Sequence, residues 1–83
     1  MFFFKLENYD EALKFINQAI TIDEKSYKAY NIKGLCFLRK SMFKLVNLDE
    51  FQDAKLNFKQ SLILNKYYYS AEFNLNYCRQ MQL

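Results

Sequence analysis

Proline and histidine are absent from the 83 residues, and glycine occurs once. Without proline, and with a single glycine, the chain lacks the turn chemistry of a multi-stranded β fold, so long helices are expected. Without histidine, and with only two cysteines, the usual Cys/His zinc patterns are excluded and no imidazole base exists. No stretch approaches the ~18 apolar residues that would span a bilayer. The apolar start "MFFFKL" is too short for a signal-peptide core and is closed by Glu7 and Asp10. The charge imbalance is small as well: a net +3 gives no strong pull towards nucleic acid or anionic lipid.

What is present is apolar and aromatic. A hydrophobic fraction of 52% and an aromatic fraction of 19% argue against disorder. A chain of this length buries only ~60% of its unfolded surface, so its core is small.

Periodicity predicts four helices. "NYDEALKFINQAITID" opens on Asn8 and Glu11 at capping-box spacing and places Ala12, Ile16, Ala19 and Ile20 on one face, ending near Asp23. A second helix starts near Ser26, carries Tyr27, Tyr30, Gly34, Phe37 and Leu38 inwards, and meets no stop signal before Asn47. Asp49 and Gln52 repeat the capping-box spacing and open a third helix to about Leu64; a fourth runs from about Tyr69 to Met81. The connections are short, so consecutive helices must fold back on each other. The small residues Ala12, Ala19, Ala29, Gly34 and Ala54 mark the expected close approaches, with Tyr9, Phe37, Phe51 and Phe58 filling between them.

The third helix repeats the first. Tyr9 and Phe51, Ala12 and Ala54, Ile16 and Phe58, Ile20 and Leu62, Asp23 and Asn65 are all separated by 42 residues, and so are Cys36 and Cys78. A helix that recurs at a fixed interval is a building block rather than an active site.

These residues resemble a tetratricopeptide repeat. Tyr30, Gly34 and Phe37 are similar to the positions of that family's first helix, with Lys33 where leucine is usual. Phe51, Ala54, Phe58 and Ser61 are similar to those of its second helix; Tyr9, Ala12, Ile16, Ala19 and "ITID" repeat the latter, and Ala71, Leu75 and Cys78 begin a third unit. Three features depart from the family. Glu24 and Lys66 replace a proline, Glu72 stands where an aromatic is expected, and the interval exceeds the family's 34 residues. The excess falls in "SMFKLVN" and is about two helical turns. The resemblance implies an all-α fold of antiparallel helical hairpins stacked as a short right-handed solenoid. Residues 1–24 would be a partial repeat, 25–66 a repeat with a lengthened helix, and 67–83 a terminal helix.

It also implies a function: a protein–protein interaction or scaffold element within a larger multiprotein assembly. The first helices of such repeats line a groove for a peptide or helix, which here comprises Lys28, Asn31, Leu35, Leu38, Arg39, Ser70, Phe73, Tyr77 and Gln80. The carboxylate-clamp set of one subset of the family is not reproduced, and Phe73 and Tyr77 suit an amphipathic partner better. Phe2, Phe3, Phe4, Met42, Phe43, Leu45 and Val46 form a possible extra docking surface. "MFFFKL" supplies only the last turns of a preceding helix. The N-terminal edge is therefore expected to dock on another chain or copy, or the sequence to be a piece of a longer repeat protein. The polar residues Glu72, Asn76 and Arg79 suggest that the last helix acts as a cap.

Other chemistries fit these residues less well. The adjacent acids Asp10/Glu11 and Asp49/Glu50 read as charges at helix N-termini, not as an acid–base pair. No nucleophile motif or phosphate-cradling loop is present, so no catalytic, cofactor-binding or metal-binding residue is assigned, and no enzyme activity or small-molecule substrate is expected. "KYYYSAEFNLNY" offers aromatics for stacking on single-stranded RNA, which makes an RNA-contacting repeat protein one alternative. Core packing explains those aromatics better, and nucleic acid is the disfavoured partner. A purely structural subunit is the other alternative. Cys36 and Cys78 read as buried reduced thiols, in keeping with an intracellular, cytoplasmic chain without membrane insertion.

Overall fold

The computed structural model describes residues 8–43 and 48–81, with only the backbone of Phe43. It consists of α1 (Tyr9–Ile22), α2 (Tyr27–Phe43), α3 (Leu48–Leu64) and α4 (Tyr69–Met81), with no strand among the described residues. α2 and α3 make the most extensive contact; α1 packs on α2, α4 packs on α3, and a smaller contact joins α2 to α4.

Two apolar clusters follow from this order. Leu13 and Ile16 of α1 meet Ala29 and Cys36 of α2. Leu38 of α2, Phe51, Ala54 and Phe58 of α3, and Leu75 and Cys78 of α4 form the other. Phe37 is half-buried and touches both. The one glycine is needed at the centre of the second cluster. A β-carbon on Gly34 would lie 2.5 Å from the Phe58 ring, so only a residue without one lets α2 and α3 approach this closely.

The turns 23–26 and 65–68 are copies of each other at the 42-residue interval. Asp23 N donates to Ala19 O at 2.9 Å, and Asn65 N to Ser61 O at 2.9 Å. Ser26 N donates to Asp23 O at 3.2 Å, and Tyr68 N to Asn65 O at 3.1 Å. In both turns a side-chain oxygen accepts from the amide two residues on: Asp23 Oδ1 from Lys25 N, and Asn65 Oδ1 from Tyr67 N, each at 3.1 Å. This is the Asx turn that Asp and Asn favour. The sequence interval is therefore also a structural one.

Three sequence expectations need correction. Asn8 precedes α1 but makes no capping hydrogen bond from its side chain. Its backbone (φ −109°, ψ 10°) already curls, whereas a capping side chain needs the extended region to reach back to the orphan amides. The cap of α2 is made instead, since Ser26 Oγ accepts from Ala29 N at 3.2 Å. Asp49 lies inside the first turn of α3 rather than before it, where its charge faces the helix dipole. On α1, finally, Leu13 is buried and Ala19 is exposed. The α2 contact is centred on Leu13 and Ile16, with Ala12 and Ile20 half-buried beside them.

Candidate functional site

The terminal helix has two unlike faces. Ala71, Leu75 and Cys78 are buried against the rest of the molecule. Two residues before the first two of these stand Tyr69 and Phe73. Two residues correspond to about 200° around a helix, so these side chains point the opposite way. Tyr69 is 72% exposed, Phe73 57% and Tyr77 40%, far more than aromatics in a core would be. Together with Glu72, Asn76 and Gln80 they line a shallow open depression of about 240 Å³ along one helix. The Tyr69 and Phe73 rings lie 6.3 Å apart, a tilted pair that presents a continuous aromatic surface.

This overturns one expectation and adds to another. The aromatics of "KYYYSAEFNLNY" are not core: of that run, Tyr68 is half-buried and packs edge-on against Tyr27 at 4.8 Å, while Tyr67, Tyr69, Phe73 and Tyr77 face outwards. Glu72, Asn76 and Arg79 are exposed, as expected of a capping face, but aromatic rings stand among them. The signal was legible in the spacing. Once Ala71, Leu75 and Cys78 take the buried face, residues 69, 73, 76, 77 and 80 can only lie on the other.

The expected groove divides in two. Phe73, Tyr77 and Gln80 lie together in the depression, with Ser70 exposed on the same helix. On α2, Lys28 and Arg39 are exposed, Leu35 is half-buried against the core, and Asn31 and Leu38 are buried. Leu38 belongs to the α2–α3–α4 cluster, and Asn31 Oδ1 accepts from Asn74 Nδ2 at 3.0 Å, tying α2 to α4. Neither offers surface to a partner, because α3 and α4 already cover that side of α2. Tyr69, Glu72 and Asn76 are the lining residues that the groove assignment missed. Of the possible extra docking surface, Met42 is exposed; Phe2, Phe3, Phe4, Leu45, Val46 and the Phe43 side chain lie outside the described residues.

The ionisable groups read as structural. Lys40 of α2 reaches Asp10 of α1 and, at 3.2 Å, Glu50 of α3, so one ammonium joins three helices. The Asp10 hydrogen bond raises the Lys40 pKa; burial opposes it, and Glu50 adds to it. A lysine whose folded pKa is raised contributes stability in full below its unfolded value of about 10.4 and loses it as pH rises through the folded value. Lys40→Met is expected to lower stability by about 1 kcal/mol at neutral pH. The gap in melting temperature between wild type and variant should close above about pH 10.4, and an unchanged gap would show that the ammonium is not the group responsible.

Cys36 and Cys78 are both free and fully buried. Burial pushes both thiols up, with Arg39 and Lys55 respectively pulling weakly the other way. A thiol held protonated is a poor nucleophile. Lys55, the buried counterpart of Leu13, lays its Nζ 5.3 Å from the centre of the Phe51 ring.

Among the described residues no helix is long and apolar enough to cross a membrane. No family model, curated protein or solved structure matches the chain.

Proposed function

We propose that the chain is a protein-interaction or scaffold element of the tetratricopeptide-like helical-repeat kind, acting within a larger assembly inside the cell. The observation that carries this reading is the outer face of α4, where three aromatics stand in the open on a helix whose other face is locked in the core. Exposed Tyr and Phe on a rigid element supply contact area at low entropy cost, and aromatics are enriched where proteins meet. The face gives little to a phosphate backbone. Glu72 sits in the middle of the depression, and no lysine or arginine lines it.

The test is capture of binding partners from the native source by the wild-type chain and by a Phe73→Glu/Tyr77→Glu variant. A protein retained by the wild type, lost by the variant and indifferent to nuclease supports the reading. Partners held equally by both would place the contact elsewhere. Binding that vanishes with nuclease and falls steeply with salt would favour RNA instead.

A further inference from the structure

The 42-residue repeat shows what belongs on the α4 face, because the equivalent face of α2 is already occupied. Tyr69, Phe73, Asn76, Tyr77 and Gln80 are the counterparts of Tyr27, Asn31, Gly34, Leu35 and Leu38. On α2 every one of these is buried or half-buried. Several face α3: Gly34 meets the Phe58 ring, Leu38 shares a cluster with Phe51 and Phe58, and Tyr27 O accepts from Ser61 Oγ at 2.7 Å. On α4 all five are exposed. The face is thus the counterpart of the side that α2 turns towards α3 and, through Asn31 and Leu38, towards α4, with different side chains and exposed among the described residues.

Among the described residues, the complementary half is open at the other end. α1 is the counterpart of α3, and it loses burial at particular positions. Ala54, Asn57, Ser61 and Leu64 of α3 are buried or half-buried, and Ser61 is the residue bonded to α2. Their counterparts on α1 are Ala12, Phe15, Ala19 and Ile22. Ala12 is half-buried and the others are exposed, Phe15 at 60% and Ile22 at 87%. All four lie on one helix face, at spacings of three and four residues.

We propose that the α4 face of one copy of this chain takes the α1 face of a second copy, head to tail, as α2 takes α3 within the chain. The proposal rests on the reading of α4 as a protein-binding face and names its occupant. Side-chain sizes agree with it away from one point: where Gly34 meets Phe58 within the chain, the pair becomes Asn76 and the smaller Ile16, already buried against α2, so the two helices must sit further apart there. α4 offers the bulk of Phe73 and Tyr77, and α1 offers the small Ala12 and Ala19 between Phe15 and Ile22. Where Ser61 hydrogen-bonds to α2, α1 has Ala19, so no buried hydroxyl would be left without a partner. Because the two faces differ, the contact is heterologous and propagates unless it closes into a ring.

The experiment is sedimentation of the 83-residue chain from micromolar to millimolar concentration, alongside Phe15→Glu and Phe73→Glu variants whose fold is checked by circular dichroism. Both positions are exposed, so each change should leave the helices intact. The wild type is expected to gain mass with concentration, and each variant alone to stay monomeric. An equimolar mixture of the variants should form a one-to-one complex, since each keeps the face the other has lost. A wild type that stays monomeric throughout overturns the proposal, as does a Phe15→Glu variant that still self-associates, or a mixture without a complex. Any of these leaves the reading of α4 as a face for other proteins standing, to be judged by the capture experiment.

Discussion

Ala54→Asp is expected to unfold the protein. Ala54 is fully buried, and its cluster consists of Leu38, Phe51, Phe58, Leu75 and Cys78. A carboxylate placed there is surrounded by apolar side chains, and the cation bordering them, Lys55, holds its Nζ over the Phe51 ring; the carboxylate must draw that ammonium away, lose its hydration or drive the helices apart. An uncompensated buried charge costs about 3–5 kcal/mol. A domain of this size has roughly 4–12 kcal/mol of total stability, so the loss consumes much or all of it. Circular dichroism should show reduced helicity and no cooperative melt at neutral pH. Full helicity with an unchanged melting temperature would mean that α3 does not bury this side. Ala54→Ser, similar in size and uncharged, should cost far less and serves as the control for bulk.

Gly34→Ala is the second large effect, and its sign runs against local preference. In an exposed helix interior the change would stabilise by about 1 kcal/mol. Here the added methyl would lie 2.5 and 2.6 Å from two ring carbons of Phe58. That ring is completely buried and cannot swing aside into solvent. Overpacking of this kind costs about 1–3 kcal/mol, occasionally more, so the net result is a loss. Each kcal/mol should appear as a fall of roughly 4–8 °C in melting temperature. Phe58→Leu alone should also destabilise, by leaving a void. Combined with Gly34→Ala it should cost less than the two losses added together, because the new methyl takes up space the ring has vacated. Strict additivity would place Phe58 away from Gly34 and refute the close approach of α2 and α3.

Helix content was readable because it depends on neighbours in sequence. The buried triplet Ala71, Leu75 and Cys78, and the core residues Phe51, Ala54 and Phe58, recur at helical spacing, and the short links between predicted helices left them little choice but to fold back. The capping expectation at Asn8 failed for a reason that spacing does not record. A cap depends on one backbone torsion, and Asn8 does not adopt the extended value. At Ser26 the same chemistry succeeded.

The site was less legible. The family resemblance puts Asn31 and Leu38 in a groove because they lie on a first helix, yet α3 and α4 cover them. Core packing is the expectation for the aromatics of "KYYYSAEFNLNY", although Phe73 and Tyr77 are also expected in the groove; Tyr69, Phe73 and Tyr77 face outwards because α4 has no further helix on that side among the described residues. An aromatic side chain prefers burial wherever burial is offered, and its own residue type does not say whether it is.

By itself, then, the sequence determined the elements and their repetition: which stretches coil, where they turn, that α1 recurs as α3, and that α4 begins a further unit through Ala71, Leu75 and Cys78. Those properties rest on periodicity, turn chemistry and the interval between matching residues, all of which are local or countable. Only the tertiary structure decided that Gly34 touches Phe58, that Lys40 joins three helices, and that equivalent faces of α2 and α4 have opposite fates. Exposure depends on which neighbours are present, and two equivalent helix faces differ in it as soon as one has a partner and the other does not.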